Sequence, residues 1–93
     1  MEGKHTMIRK EIMVNILEGQ EDRPIANLVQ LTNAYHAKIS FETDENKRVN
    51  GKSLMGMMTL GLYPREPVTV IADGTDEEEA VRGIEKYLSG KGR

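Results

Sequence analysis

Every periodic block in this chain of 93 residues is apolar on one side only. In the first block Ile8, Lys10, Ile12, Val14 and Ile16 alternate with Arg9, Glu11, Met13 and Asn15, the period of a half-buried strand. In the second, Ile25, Leu28, Val29 and Thr32, with Ala26 and Tyr35 beside them, recur at helical spacing to about Tyr35. Asp22 stands where an N-cap belongs and Pro24 in the first turn, where a missing N–H costs nothing. A one-faced strand needs a single cover and a one-striped helix a single surface to lie on. One sheet with helices on one face and water on the other satisfies both.

The later blocks extend this pattern. Ala37, Ile39 and Phe41 alternate with Lys38, Ser40 and Glu42; the polar run Thr43-Asp44-Glu45-Asn46 and the short stretch Lys47-Arg48-Val49-Asn50 complete a hairpin. Ser53 to Gly61 reads as a short helix, with Ser at the N-cap and Gly at the stop. Val68, Val70 and Ala72 alternate with Thr69, Ile71 and Asp73 as a last strand ended by Gly74. Thr75 and Glu78 form a capping-box pair, and Asp76 to Glu79 put negative charge at the positive helix end. Ala80, Val81, Ile84, Tyr87 and Leu88 make one stripe that stops near Gly90. The order βαββαβα is α+β, a single domain over residues 1–93 with a ragged segment 1–6 and a tail 90–93.

Composition excludes several classes of function. Thirteen Lys and Arg against 15 Asp and Glu give a net charge of −2 with both signs interspersed, which argues against a nucleic-acid binder. Cysteine is absent, so there is no disulfide framework, thiolate nucleophile or thiolate metal site, and the default compartment is the cytoplasm. No window approaches the roughly 18 apolar residues that a membrane span requires. With only four aromatic residues, the core must be built from Ile, Leu, Val, Met and Ala.

The usual reactive constellations are also missing. His5 and His36 have no second ligand at metal spacing, and Asp44, Glu45 and Asn46 lack the Gly and distal Glu of a calcium loop. Ser40, Ser53 and Ser89 have no nucleophile-elbow setting. No catalytic residue, metal or cofactor is expected.

Two segments stand out. Gly19-Gln20-Glu21-Asp22-Arg23-Pro24 runs a polar loop into a helix, whose free N–H groups and Arg23 could seat an anion or simply form a capped start. Val49-Asn50-Gly51-Lys52-Ser53-Leu54-Met55-Gly56-Met57-Met58 places a Ser at a helix N-terminus before a Met- and Leu-rich run. A phosphate on Ser53 would carry about −1.5 to −2 charge and meet free N–H groups, while Met55 and Met58 could form an adaptable exposed patch. The residues equally allow Ser53 to be a cap alone and the Met side chains to be core.

In these segments, and over roughly Lys10 to Leu88, the chain resembles the histidine phosphocarrier (HPr) family of the bacterial sugar phosphotransferase system. The strongest stretch is Arg48-Val-Asn-Gly-Lys-Ser-Leu-Met-Gly-Met-Met-Thr-Leu-Gly61, with the family's regulatory serine falling on Ser53. Arg23-Pro24 with Ala26, Leu28-Val29-Gln30, and Ala72 to Ala80 support it. The resemblance implies an open-faced β-sandwich, a four-stranded antiparallel sheet with three helices on one face. It also exposes a departure: the family's Gly-Leu-His-Ala-Arg-Pro reads Gly19-Gln20-Glu21-Asp22-Arg23-Pro24 here, and Glu21 occupies the position of the active histidine. A carboxylate lacks the imidazole's nucleophile and labile N–P chemistry, so sugar-transport phosphotransfer is not expected. Arg23, which assists the phosphohistidine in the family, would face a permanent carboxylate.

A similar loss of the histidine characterises the family's catabolite-repression HPr-like proteins, which carry Gln there. They are phosphorylated on the serine by a bifunctional kinase/phosphorylase and then act as corepressors of a LacI-type transcription regulator. The resemblance thus implies Ser53 as phosphoacceptor, and Glu21, Asp22, Arg23, Lys52, Leu54, Met55 and Met58 are expected as partner-binding residues; the fixed charge of Glu21 at a helix N-terminus is either a partial imitation of the phosphorylated histidine or the remnant of a site drifting after loss of function. The edge strands of a small open sheet allow a monomer or weak dimer, and the charge balance and apolar windows lead to no direct nucleic-acid or membrane contact. The alternatives are a phosphocarrier using an acyl phosphate on Glu21 or Asp22, and an interaction domain that is never modified.

Overall fold

Alternation at the start of the chain becomes β1 (Ile8–Met13), and the later blocks become α1 (Pro24–Thr32), β2 (Lys38–Glu42), β3 (Arg48–Asn50), α2 (Leu54–Leu60), β4 (Pro67–Asp73) and α3 (Glu77–Ser89). This computed structural model describes residues 7–15, 24–43, 47–60, 62 and 65–90. The expectations for Ile16, the Asp22 cap, the turn at 44–46 and the Gly61 stop lie outside them, as do those for the segment 1–6 and residues 91–93.

The strands form one sheet in the order β1-β4-β2-β3 with every neighbouring pair antiparallel. Register brings Ile8, Ala72 and Ile39 into one row, Lys10, Val70, Phe41 and Val49 into the next, and Ile12 and Val68 into a third. Because side chains alternate along each strand, these rows share a face, and the helices cover it: α3 lies against β1 and β4, and α1 against α2 and α3. The fold is thus the expected α+β open-faced sandwich. Leu28, Ile39, Phe41, Met57, Val70, Ile84 and Leu88 are fully buried between sheet and helices, each worth about 1.5–3 kcal/mol relative to exposure. The α3 stripe is buried as expected at Ala80, Val81, Ile84 and Leu88, and the helix ends on Gly90. There φ of +80° is a left-handed conformation that glycine adopts without a Cβ penalty.

Four local expectations are corrected. Pairing in β1 stops at Met13; Val14 and Asn15 instead bond to Glu66 and Leu88 through their N–H groups. Helix α1 ends at Thr32, not Tyr35: the Asn33 side-chain amide folds back onto the Val29 carbonyl that its own N–H also uses, and the backbone tightens to Ala34–Leu31 and Tyr35–Thr32 bonds. The outer sheet face is not uniformly wet, since Ile71 on the central strand β4 is only 3% exposed. It sits between Arg9 and Ser40 in the register, and the Arg9 side chain crosses β4 to pair with Glu42 at 2.8 Å.

The α3 start is the fourth. Asp76, not Thr75, takes the N-cap position and makes no side-chain cap bond. Its carboxylate accepts from the His36 and Ala37 N–H groups, each at 2.8 Å, and ties α3 to the α1–β2 junction. Glu77 reaches back to the Gly74 N–H at 3.0 Å. The His36 N–H bond, with help from Ala37 and against some desolvation, holds the Asp76 carboxyl below its usual 3.8. A depressed carboxyl adds stability that is present above the unfolded-state value and is lost as pH falls through the folded one. Asp76→Asn is therefore expected to lower stability at pH 7, with the deficit narrowing below about pH 3.8. Denaturant titrations of both chains between pH 2 and 7 check this; a deficit independent of pH would count against it.

Candidate functional site

The β3–α2 junction is fastened from several directions. Gly51 N–H donates to the Ile39 carbonyl at 2.6 Å, and its own carbonyl accepts from the buried Thr32 hydroxyl at 2.8 Å. Lys52 N–H donates to the Asn50 side-chain oxygen at 2.9 Å, and the Lys52 carbonyl accepts from the Asn33 amide at 3.2 Å. Ser53 N–H closes the turn onto the Asn50 carbonyl at 3.1 Å. Turn and helix ends are thus satisfied by specific partners, as backbone polar groups require.

This anchoring presents Ser53 as the N-cap of α2. Its Oγ accepts from the Gly56 N–H at 3.1 Å, and its carbonyl accepts the first helical bond, from Met57 N–H, at 2.9 Å. The side chain is half-buried, and the Leu54 and Met55 N–H groups lie in the first turn, where no intrahelical acceptor exists. The next turn splits the apolar run: Met57 and Leu60 face the core, while Leu54, Met55 and Met58 are exposed. Leu54 also borders a shallow groove of about 350 Å³ that it shares with Ala26, Asn27, Val29, Gln30 and Asn33 of the α1 side.

Among the expected site residues, Ser53, Leu54, Met55 and Met58 come together on α2. Lys52 adjoins them, but its ammonium donates to the Tyr35 carbonyl and so joins the junction to the turn between α1 and β2. Glu21, Asp22 and Arg23 lie outside the described residues. His36 sits exposed at the α1–β2 junction, and no group of three potential metal ligands occurs among the described residues. No described helix is long and apolar enough to cross a membrane.

Sequence reasoning missed the supports of the serine, Thr32 and Asn33. Thr32 reads as one more member of the α1 stripe, whereas it is fully buried and polar. The signal was present in a hydroxyl occupying a core position, since a buried hydroxyl must find a partner.

A small open sheet with a capped serine opening its shortest helix defines the class of domain, and comparison with known proteins names the family. Residues 8–89 match the family described as PTS HPr component phosphorylation site. The chain belongs to the HPr family. Within it the chain is similar to the HPr-like protein Crh: 35% identical to that of Halalkalibacterium halodurans over 88% of this chain and 96% of the relative, and 37% identical to that of Bacillus subtilis over 88% and 95%. Among solved structures, the phosphocarrier protein HPr of Bacillus anthracis superposes with a TM-score of 0.81 at 38% identity, covering 88% of this chain and 96% of that one. Crh of Bacillus subtilis, crystallised as a domain-swapped dimer, gives a TM-score of 0.69 at 34% identity over 86% of each chain.

Proposed function

We propose that this chain is a non-enzymatic regulatory HPr-like protein, switched by phosphorylation of Ser53 by an HPr kinase/phosphorylase. In its phosphorylated form it binds a LacI-type transcription regulator in carbon catabolite control. The observation that carries this reading is the arrangement on α2: a half-buried, capped hydroxyl on a fastened turn, with the exposed apolar side chains of Leu54, Met55 and Met58 in the helix it opens. A phosphate on Ser53 keeps the first-turn N–H groups as partners and adds three acceptor oxygens, so it can be accommodated at the cap without unwinding α2. Glu21 at the family's histidine position supports regulation over phosphate relay. The similarity to Crh, whose Bacillus subtilis form is described as a catabolite repression HPr, points the same way.

Incubation of the chain with an HPr kinase/phosphorylase and ATP, followed by mass spectrometry, tests the first step. One phosphate is expected on Ser53, stable to hydroxylamine and absent from Ser53→Ala. No incorporation would remove the reading, and a hydroxylamine-labile phosphate on Glu21 or Asp22 would replace it with a carrier function. Titration of the purified regulator should then show tighter binding of the phosphorylated chain. Strand β1 lies at a sheet edge, and sedimentation of the free chain tests the expected monomer or weak dimer.

A further inference from the structure

The chain has six methionines and no cysteine, so thioethers are its softest nucleophiles and no thiol competes with them for an oxidant. On α2 their environments diverge within four residues: Met55 is 79% and Met58 63% exposed, while Met57 is 0% exposed. Residues three apart on a helix share a side, so two accessible thioethers stand together next to the Ser53 cap, and the third is shielded in the core.

We propose that Met55 and Met58 are an oxidation site, taken by hydroperoxide-class oxidants, that switches off the apolar patch beside Ser53. The sulfur lone pair attacks the terminal peroxide oxygen, the S–O bond forms and the O–O bond breaks, and the departing hydroxide, or the alkoxide of an organic hydroperoxide, takes the proton carried by the transferred oxygen and leaves as water or the alcohol. Sulfur is oxidised by two electrons and the peroxide is reduced. Each methyl thioether becomes a polar sulfoxide, and with Leu54 as its remaining apolar member the patch loses most of its greasy surface. Charge is unchanged, and the Ser53 hydroxyl is untouched. Because neither side chain packs in the core, the fold survives, whereas a sulfoxide on Met57 would disrupt it. The regulatory consequence, release of the partner independently of Ser53 phosphorylation, rests on the function proposed above.

Met7 and Met13 supply an internal control. They are 58% and 55% exposed and belong to the β1 side of the sheet, the edge opposite β3, against which α2 packs. The native chain and Met55→Leu/Met58→Leu are treated with dilute hydrogen peroxide and mapped by tandem mass spectrometry, and their retention on a hydrophobic-interaction column is compared. Met55 and Met58 should oxidise about tenfold faster than Met57 or more. Peroxide should shorten the retention of the native chain more than that of the double variant, and methionine sulfoxide reductases should restore it. Equal rates at Met57, or equal retention shifts in the two chains, would overturn the proposal. Binding of the phosphorylated chain to the regulator is measured before and after oxidation. Absence of binding before oxidation defeats the functional reading, while the peptide map and retention still decide the sulfoxidation; binding that survives oxidation of both residues defeats the switch.

Discussion

Gly51→Ala should unfold with a stability about 1–3 kcal/mol below the parent chain, the usual cost of forcing a methyl group into a packed core. An added Cβ would lie 2.7 Å from Phe41 Cε2, 2.8 Å from Ile39 Cγ2 and 2.9 Å from Phe41 Cδ2. Phe41 and Ile39 are themselves fully buried, so neither can swing aside, and close-packed interiors transmit such strain. The backbone cannot retreat either, because the Gly51 N–H is held by the Ile39 carbonyl and the Gly51 carbonyl by the Thr32 hydroxyl. Urea unfolding followed by circular dichroism reads the effect. Combining Gly51→Ala with Phe41→Leu should give less destabilisation than the sum of the two single changes, since the smaller side chain vacates the space that the methyl needs. Full additivity would mean that the contact with Phe41 is not the cause. Ser53 follows two residues later on the same fastened turn, so the phosphorylation proposed above should also slow in Gly51→Ala.

Under the function proposed above, the largest effect on binding is expected from replacing Met55 and Met58 together by Gln in the Ser53-phosphorylated chain. Gln keeps the length and helix propensity of Met and adds no charge, and both sites are exposed, so stability should stay within about 0.5 kcal/mol of the parent. Loss of apolar anchors at an interface centre costs about 2 kcal/mol or more, roughly a 30-fold weakening. Calorimetric titration against the transcription regulator measures it, with phosphate stoichiometry on Ser53 matched between the chains. Unchanged affinity would place the regulator on another surface and leave the exposed methionines without a part in docking.

The contrast between these two changes reflects where each residue's neighbours come from. Ser53 was legible as a cap because its partner, the Gly56 N–H, is three residues away, and the α3 stop was legible because Gly90 closes on Lys86 and Tyr87. One-faced periodicity likewise foretold the layers. For the methionines the sequence left two even readings, an exposed patch of Met55 and Met58 or Met side chains that fill the core; the structure leaves Met55 and Met58 exposed and puts Met57 in the core cluster with Leu28 and Phe41. The capping box at Thr75 and Glu78 failed because it assumed local partners for the carboxylates, whereas Asp76 finds the N–H groups of His36 and Ala37, distant by 40 and 39 positions.

Sequence alone therefore determined the elements, their order, the one-sided sheet and the serine that opens α2, because turns, caps and periodicities are decided among residues within a few positions of one another. Tertiary structure decided the sheet order β1-β4-β2-β3, the shielding of Ile71, the clamp of Thr32 on Gly51 and the division of the methionines into buried and exposed. Each of these depends on surfaces meeting across long stretches of chain, where steric fit and the need to satisfy buried polar groups select one arrangement from many that the local pattern allows.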